Sequence, residues 1–250
     1  MMRMNESATK NPTGNSADTV AMRPILRIAA IALLVSLIFI LWLNSYSDID
    51  VRLADYFYDR RLHTFPWKES WFAKVFMHAW IKYGLIAAAI GTIVLCLIDL
   101  IHPIASINPY YRVRLRLLAC SSALVPAAVS LMKSRSALHC PWDIDRYGGN
   151  MPYLRLLDAV PAHFQAGHCF PAGHATSGLW LAALAVFWLP HHPRKAALVY
   201  VLGLGVGLLL GWVQQMRGAH FLSHTLMSAW IATLVITLLT WLMLGRTKQG

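Results

Sequence analysis

Residues 168–189 read HCFPAGHATSGLWLAALAVFWL. Two histidines, a cysteine and a proline lead directly into an apolar stretch, Ala175–Leu189, that contains no charged residue. A surface helix of a soluble protein would carry a charged face. A stretch without one belongs in lipid, where a span needs roughly 20 apolar residues. Five further runs approach that length, at about Ile25–Leu43, Ile81–Ile101, Val113–Met132, Ala196–Val213 and Thr225–Leu244. Ala175–Leu189 is the shortest and borrows residues from the loop before it. The expected fold class is an all-α membrane protein with six transmembrane helices, because lipid offers the backbone no partner outside a helix.

Composition agrees. The chain is 57% hydrophobic and 13% charged, about half the charged share of soluble domains. Its net charge of +11 raises nucleic-acid binding, but the distribution argues against it. Arg3, Lys10, Arg23 and Arg27 flank the start of the first run, and Arg112, Arg114 and Arg116 precede the third. Arg194 and Lys195 separate the fourth from the fifth, and Arg246 and Lys248 follow the sixth. With six spans, all of these fall on one face. The positive-inside rule makes that face cytoplasmic, with both termini on it. No basic-aromatic stretch competes with this reading, so no nucleic-acid partner is expected. The domain plan is a disordered cytoplasmic tail over 1–23, a membrane domain over 24–245 and a short cytoplasmic tail over 246–250. The first run is too long for a signal-peptide core and lacks an A-x-A site, so it reads as a retained helix.

Three segments face outward. Asn44–Trp80 mixes charge with aromatic residues (DYFYDRRLHTFPWKESWFAKVFMHAW over 55–80) and reads as short helices at the headgroup level. Lys133–Gly173 is long enough to be functional, and Trp142, Tyr147, Tyr153 and Phe164 favour an ordered loop. The third segment, Gln214–His224, reads QQMRGAHFLSH.

Ionisable side chains concentrate at the outer ends of runs three to six: Lys133, His174, Arg217, His220 and His224. A Lys or Arg at a helix end often only snorkels to the interface. Five such groups converging on one face instead mark a functional site. One reading is a metal site, since His220 and His224 are one helical turn apart. HFLSH lacks the Glu of H-E-x-x-H, however, and no nearby carboxylate completes a ligand set. The other reading is phosphoryl chemistry without a metal or cofactor. Lys133 and Arg217 would clamp phosphate oxygens, one histidine would attack phosphorus and another would protonate the leaving oxygen. Gly173 would offer backbone N–H at a helix start. The residue types favour this second reading.

These residues resemble the type 2 phosphatidic acid phosphatase superfamily, which shares its site with vanadium haloperoxidases. The family's first motif is a Lys, six residues, then Arg-Pro. Here KSRSALHCP matches it at Lys133 and Pro141, with Cys140 at the Arg position. The second motif, P-S-G-H, appears as PAGH, with Ala172 in place of Ser. In the third, GAHFLSH is similar to G-x-H-F-x-S-D, which makes His220 the nucleophile, places His224 at the orienting Asp and puts Gln214 at the motif Arg. Arg217 lies one helical turn on. A second register makes His224 the nucleophile, with Ser228 at the Asp position. The His220 register is preferred, with His224 accepting the other imidazole N–H of His220.

The resemblance implies a metal-independent phosphatase or phosphotransferase of membrane lipids, working through a phosphohistidine. His174 would act as the acid, and Arg135 is a candidate for the missing guanidinium. Bacterial members act on undecaprenyl diphosphate, phosphatidylglycerol phosphate or lipid A phosphates, which implies an inner-membrane protein with a periplasmic site. The rival from another class is a non-catalytic carrier or lipid-binding protein that holds an anion. Oligomeric state is open.

Cys140 and Cys169 each sit beside a motif in the outward loop. An oxidising periplasm permits their pairing, worth roughly 3 kcal/mol on the loop-entropy model. The alternative is two free thiols. Cys96 and Cys120 read as small core residues. GLGVG at Gly203–Gly207 lies inside an apolar run and reads as close helix packing.

Overall fold

The computed structural model describes residues 16–162 and 164–245. Residues 1–15, His163 and 246–250 lie outside the described residues, and with them most of the expected tails and the charges Arg3, Lys10, Arg246 and Lys248.

Apolar runs without charges become helices, and the described residues form no extended strand. α1 spans Ser16–Tyr46, α2 Ile49–Phe57, α3 Lys82–Ile101, α4 Pro109–Lys133, α5 Thr176–Leu179, α6 Pro193–Met216 and α7 Leu222–Leu244. α1 begins inside the stretch expected to be a disordered tail. There Met22 is buried, and Asp18 lies 3.5 Å from His191, so residues 16–23 are helical because they pack. A π-wound segment, Phe72–Ile81, runs directly into α3. Its aromatic residues suggested a separate interfacial helix, but Ala73 and Met77 pack against Leu210 and Val213 of α6 and carry the helix on.

Among the described residues, five helical stretches are long and apolar enough to cross a membrane: Ala17–Tyr46, Phe72–Ile101, Pro109–Lys133, Pro193–Met216 and Leu222–Leu244. In the first two, only 11% of the most apolar window is buried within the protein. Side chains such as Ile28, Leu34, Ile90 and Leu97 are exposed. Apolar surface on that scale calls for lipid around it. The chain therefore has the make-up of a multi-pass membrane protein.

The sixth expected span takes a different form. Gly173–Ala175 is 3₁₀, α5 is one turn, and Trp180–Trp188 is a nine-residue 3₁₀ helix. Winding at ~2.0 Å per residue stretches this short segment to about 30 Å, where α winding would give about 24 Å. It forms the core of the bundle. Leu179, Ala182, Ala183 and Val186 are buried against Leu117, Leu118 and Val125 of α4 and Ala232 and Ile236 of α7.

Close approach to α6 depends on glycine. A Cβ at Gly203 would lie 2.5 Å from the backbone of Ala182, and one at Gly207 would lie 2.4 Å from Leu179. This is the helix packing expected of GLGVG. At the far end Arg114 is buried and donates to the carbonyls of Val186 (2.9 Å) and Leu189 (2.7 Å). It thereby satisfies C-terminal acceptors that the helix cannot. Cys96 is buried, whereas Cys120, expected in the core, sits on the exposed side of α4.

Candidate active site

The segments after α4 and before α5 run side by side. The N–H groups of Gly167, His168 and Cys169 donate to the carbonyls of Ala137, Ser136 and Leu138. A disulfide joins Cys140 to Cys169, with Cα atoms 5.3 Å apart. The turn that follows is fixed on α7. Ala172 donates its N–H to the His224 carbonyl at 3.0 Å and accepts the Ser228 hydroxyl at 2.9 Å. Ser228, the Asp position of the second register, is thus a structural tie.

α6 ends in a Schellman motif. Gly218 N–H donates to Gln215 and Ala219 N–H to Gln214, with Gly218 at φ +72°. Any Cβ at Gly218 would lie 2.3 Å from the Phe65 ring. The turn directs Arg217 inward, where it donates to the Gln214 side chain at 3.0 Å and to the Lys68 carbonyl at 3.3 Å. Gln214, at the family's Arg position, therefore holds the displaced guanidinium.

α7 is capped from outside its own chain segment. Asp50 of α2 accepts from Ser223 N–H at 2.9 Å and from the Ser223 hydroxyl, and Asn44 donates to both residues. Burial pushes the Asp50 pKa up, against the pull of these hydrogen bonds. The long outward loop is ordered. Arg146 pairs with Asp55 at 2.8 and 2.6 Å, which holds that carboxyl below its usual range. Arg155 donates to Asp48, and Leu156 N–H donates to Asn44.

Between these supports the histidines meet. The His174 and His220 ring centres are 6.2 Å apart, those of His220 and His224 5.8 Å. Lys133 lies against Gly173, where a Cβ would sit 3.8 Å from its Nζ. His220 is 3% exposed and His224 1%. The expected direct bond from His220 to His224 is replaced by a shared acceptor. The Cys169 carbonyl hydrogen-bonds both rings, and His220 Nδ1 lies 3.4 Å from Cys169 Sγ. Burial drives the His220 pKa well below the ordinary imidazole value, and His224, His174 and Lys133 push the same way. His220 is therefore a neutral ring with a free electron pair at neutral pH.

Lys133, Lys82 and Arg217 all act on His174. Among the described residues no carboxylate balances Lys133. Glu69, the acid that acts on Arg217, is ion-paired with Lys74. Unbalanced cations beside neutral imidazoles form a receptor for an anion. Cys140, Cys169 and His220 place donor atoms within 4.8 Å of one another, a spacing that suits a metal. The disulfide ties up both sulfurs, so this set does not offer thiolate ligands.

Lys133, Gly173, His174, Arg217, His220 and His224 thus come to one end of the bundle. Arg135 does not join them; it is exposed on the turn after α4. Two contributors escaped sequence reasoning. Asp50 has no local pattern. His78, on the π-wound segment, places its ring centre 4.3 Å from that of His174. An open cavity of about 550 Å³ lies apart from this cluster, lined by Asp55, Tyr58, Arg146 and neighbours that largely pair with one another.

A family model described as the PAP2 superfamily matches residues 114–248, more than half of the chain. Neither a curated protein nor a solved structure matches it. The match runs from α4 through the disulfide, the PAGH turn and the α6–α7 corner, and so takes in every histidine of the cluster except His78. The chain belongs to the PAP2 superfamily, whose members are phosphatases acting on phosphoric esters.

Proposed function

We propose that this protein removes a phosphate or diphosphate from a membrane lipid through a phosphohistidine on His220, without a metal. The observation that carries the proposal is the convergence of buried histidines with Lys133, which no carboxylate among the described residues balances, and Arg217, whose acidic neighbour Glu69 is ion-paired with Lys74. Lys133 and Arg217 neutralise the phosphate oxygens, and Gly173 offers its N–H. His220 attacks phosphorus as the bond to the lipid oxygen breaks. His174 gives that oxygen a proton and then takes one from the water that releases phosphate. An acceptor lipid in place of water makes the same site a transferase.

Gly173–Trp188 is the sixth crossing, its 3₁₀ stretch spanning the bilayer core. Both termini then lie on the cytoplasmic side and the site faces outward, in a bacterial inner membrane. The exposed faces of α1 and α3 bring the lipid substrate to the site within the bilayer.

The test is phosphate release from a panel of monophosphate and diphosphate lipids in EDTA, using purified wild type and His220→Ala. Release by the wild type alone supports the reading. Anion binding without release across the whole panel supports a lipid-binding protein instead.

A further inference from the structure

The disulfide lies directly against the nucleophile. Cys140, Cys169 and His220 place donor atoms within 4.8 Å of one another, and Cys169 Sγ is 3.4 Å from His220 Nδ1. Tetrahedral coordination at about 2.3 Å to sulfur and about 2.0–2.1 Å to nitrogen sets sulfur and nitrogen about 3.6 Å apart, and two sulfurs about 3.8 Å apart. The imidazole thus already stands at the distance from Cys169 that a shared zinc ion requires. Only the two sulfurs are too close, because they are bonded to each other. Cys140 is partly exposed and has room to turn once that bond is cut.

The segments that carry the donors hold together without the bridge. Gly167, His168 and Cys169 donate their N–H groups to the carbonyls of Ala137, Ser136 and Leu138. Trp142, just after Cys140, donates its N–H at 3.0 Å to Gly218, just before His220. Ala172, just after Cys169, is fixed on the His224 carbonyl. Reduction therefore releases two thiols into a frame that keeps all three donors within reach. A divalent ion with two thiolates and one neutral imidazole carries no net charge, so burying it strands no unpaired charge.

We propose that reduction of the Cys140–Cys169 bridge unmasks a site for zinc or a similar thiophilic divalent ion, and that the ion switches the enzyme off by taking the electron pair of His220. A dithiol supplies the two electrons and two protons that open the bridge, and itself closes to a cyclic disulfide. Metal binding then expels one proton from each thiol. A neutral imidazole has one basic ring nitrogen, and the other carries the proton. With the basic pair on the metal, none remains to attack phosphorus. The switching step rests on the phosphatase reading above; the metal site does not.

The test titrates zinc, against a chromophoric chelator, into the oxidised full-length protein and into protein reduced by a phosphine and then freed of it. Reduced wild type should bind about one ion more per chain than the oxidised form. Cadmium in its place should show thiolate charge-transfer absorption. Cys140→Ser also lacks the bridge but keeps one thiol. It and reduced His220→Ala should bind at least about tenfold more weakly than reduced wild type. Zinc should raise the melting temperature of reduced wild type, which binding to the thiols of an unfolded chain would not do. No extra ion on reduction, no rise in melting temperature, or unchanged affinity in either variant overturns the site. In turnover of a lipid phosphate, zinc should slow the reduced enzyme by about tenfold or more, reversibly with EDTA, and spare the oxidised one. An equal effect of zinc on both forms overturns the switch. If the wild type hydrolyses no lipid phosphate, the phosphatase reading fails while the zinc titration still decides the site.

Discussion

Asp50 on α2 caps the N-terminus of α7 by accepting the Ser223 N–H at 2.9 Å. The helix carries no side-chain cap of its own at Phe221. His220 and His224 flank Ser223 on either side, so the cap fixes the frame of both rings. Asp50→Ala should cost about 1–3 kcal/mol, from the lost cap and the buried donors left behind. A denaturant melt in detergent measures this, and activity should fall with stability.

Removing the Cys140–Cys169 bridge should cost about 3–4 kcal/mol for its 29-residue separation. Cys169→Ser should also lower activity, because without the bridge the segment whose backbone carbonyl hydrogen-bonds His220 and His224 is no longer tied to Cys140. Mass spectrometry of alkylated, non-reduced protein should find Cys96 and Cys120 labelled and the other two protected.

Much of this was legible in the sequence, for physical reasons. Uninterrupted apolar runs marked five helices, because nothing but a lipid-facing or core helix tolerates them. Lys133, His174 and His220 were legible because their neighbours keep a fixed spacing. The start of the second span was missed by nine residues, since Lys74 and the surrounding aromatics look like a surface segment. That error hid His78, whose position depends on π winding. The partner of His220 was misread as His224, because a backbone carbonyl carries no sequence signal. Asp50 was invisible for a related reason: it caps a helix far away in the chain.

Arg217→Ala should lower kcat/KM by about 10²–10³, the usual loss when one charge-stabilising donor is removed. Gln214→Ala should lower it less, since the guanidinium loses its holder at 3.0 Å but not its charge. Initial rates on one lipid phosphate compare the two variants.

Acid should destabilise the fold through His220. Its folded pKa lies well below 6.5 because the ring is buried. The unfolded chain therefore binds more protons as pH falls below about 6.5, and stability drops from there down to the folded pKa. Asp50, whose folded pKa is raised above 3.8, acts in the opposite direction: its contribution is lost as pH rises through that raised value. Melting temperatures from pH 7.5 to 5 should fall in wild type and fall less in His220→Gln.

The central claim is that His220 carries the phosphoryl group. Wild type mixed with a lipid phosphate, quenched in alkali and digested, should yield a base-stable, acid-labile phosphoryl group on the peptide containing His220, and His220→Ala should yield none. A phosphoryl group found on His224 instead, or full turnover in His220→Ala, would contradict the account.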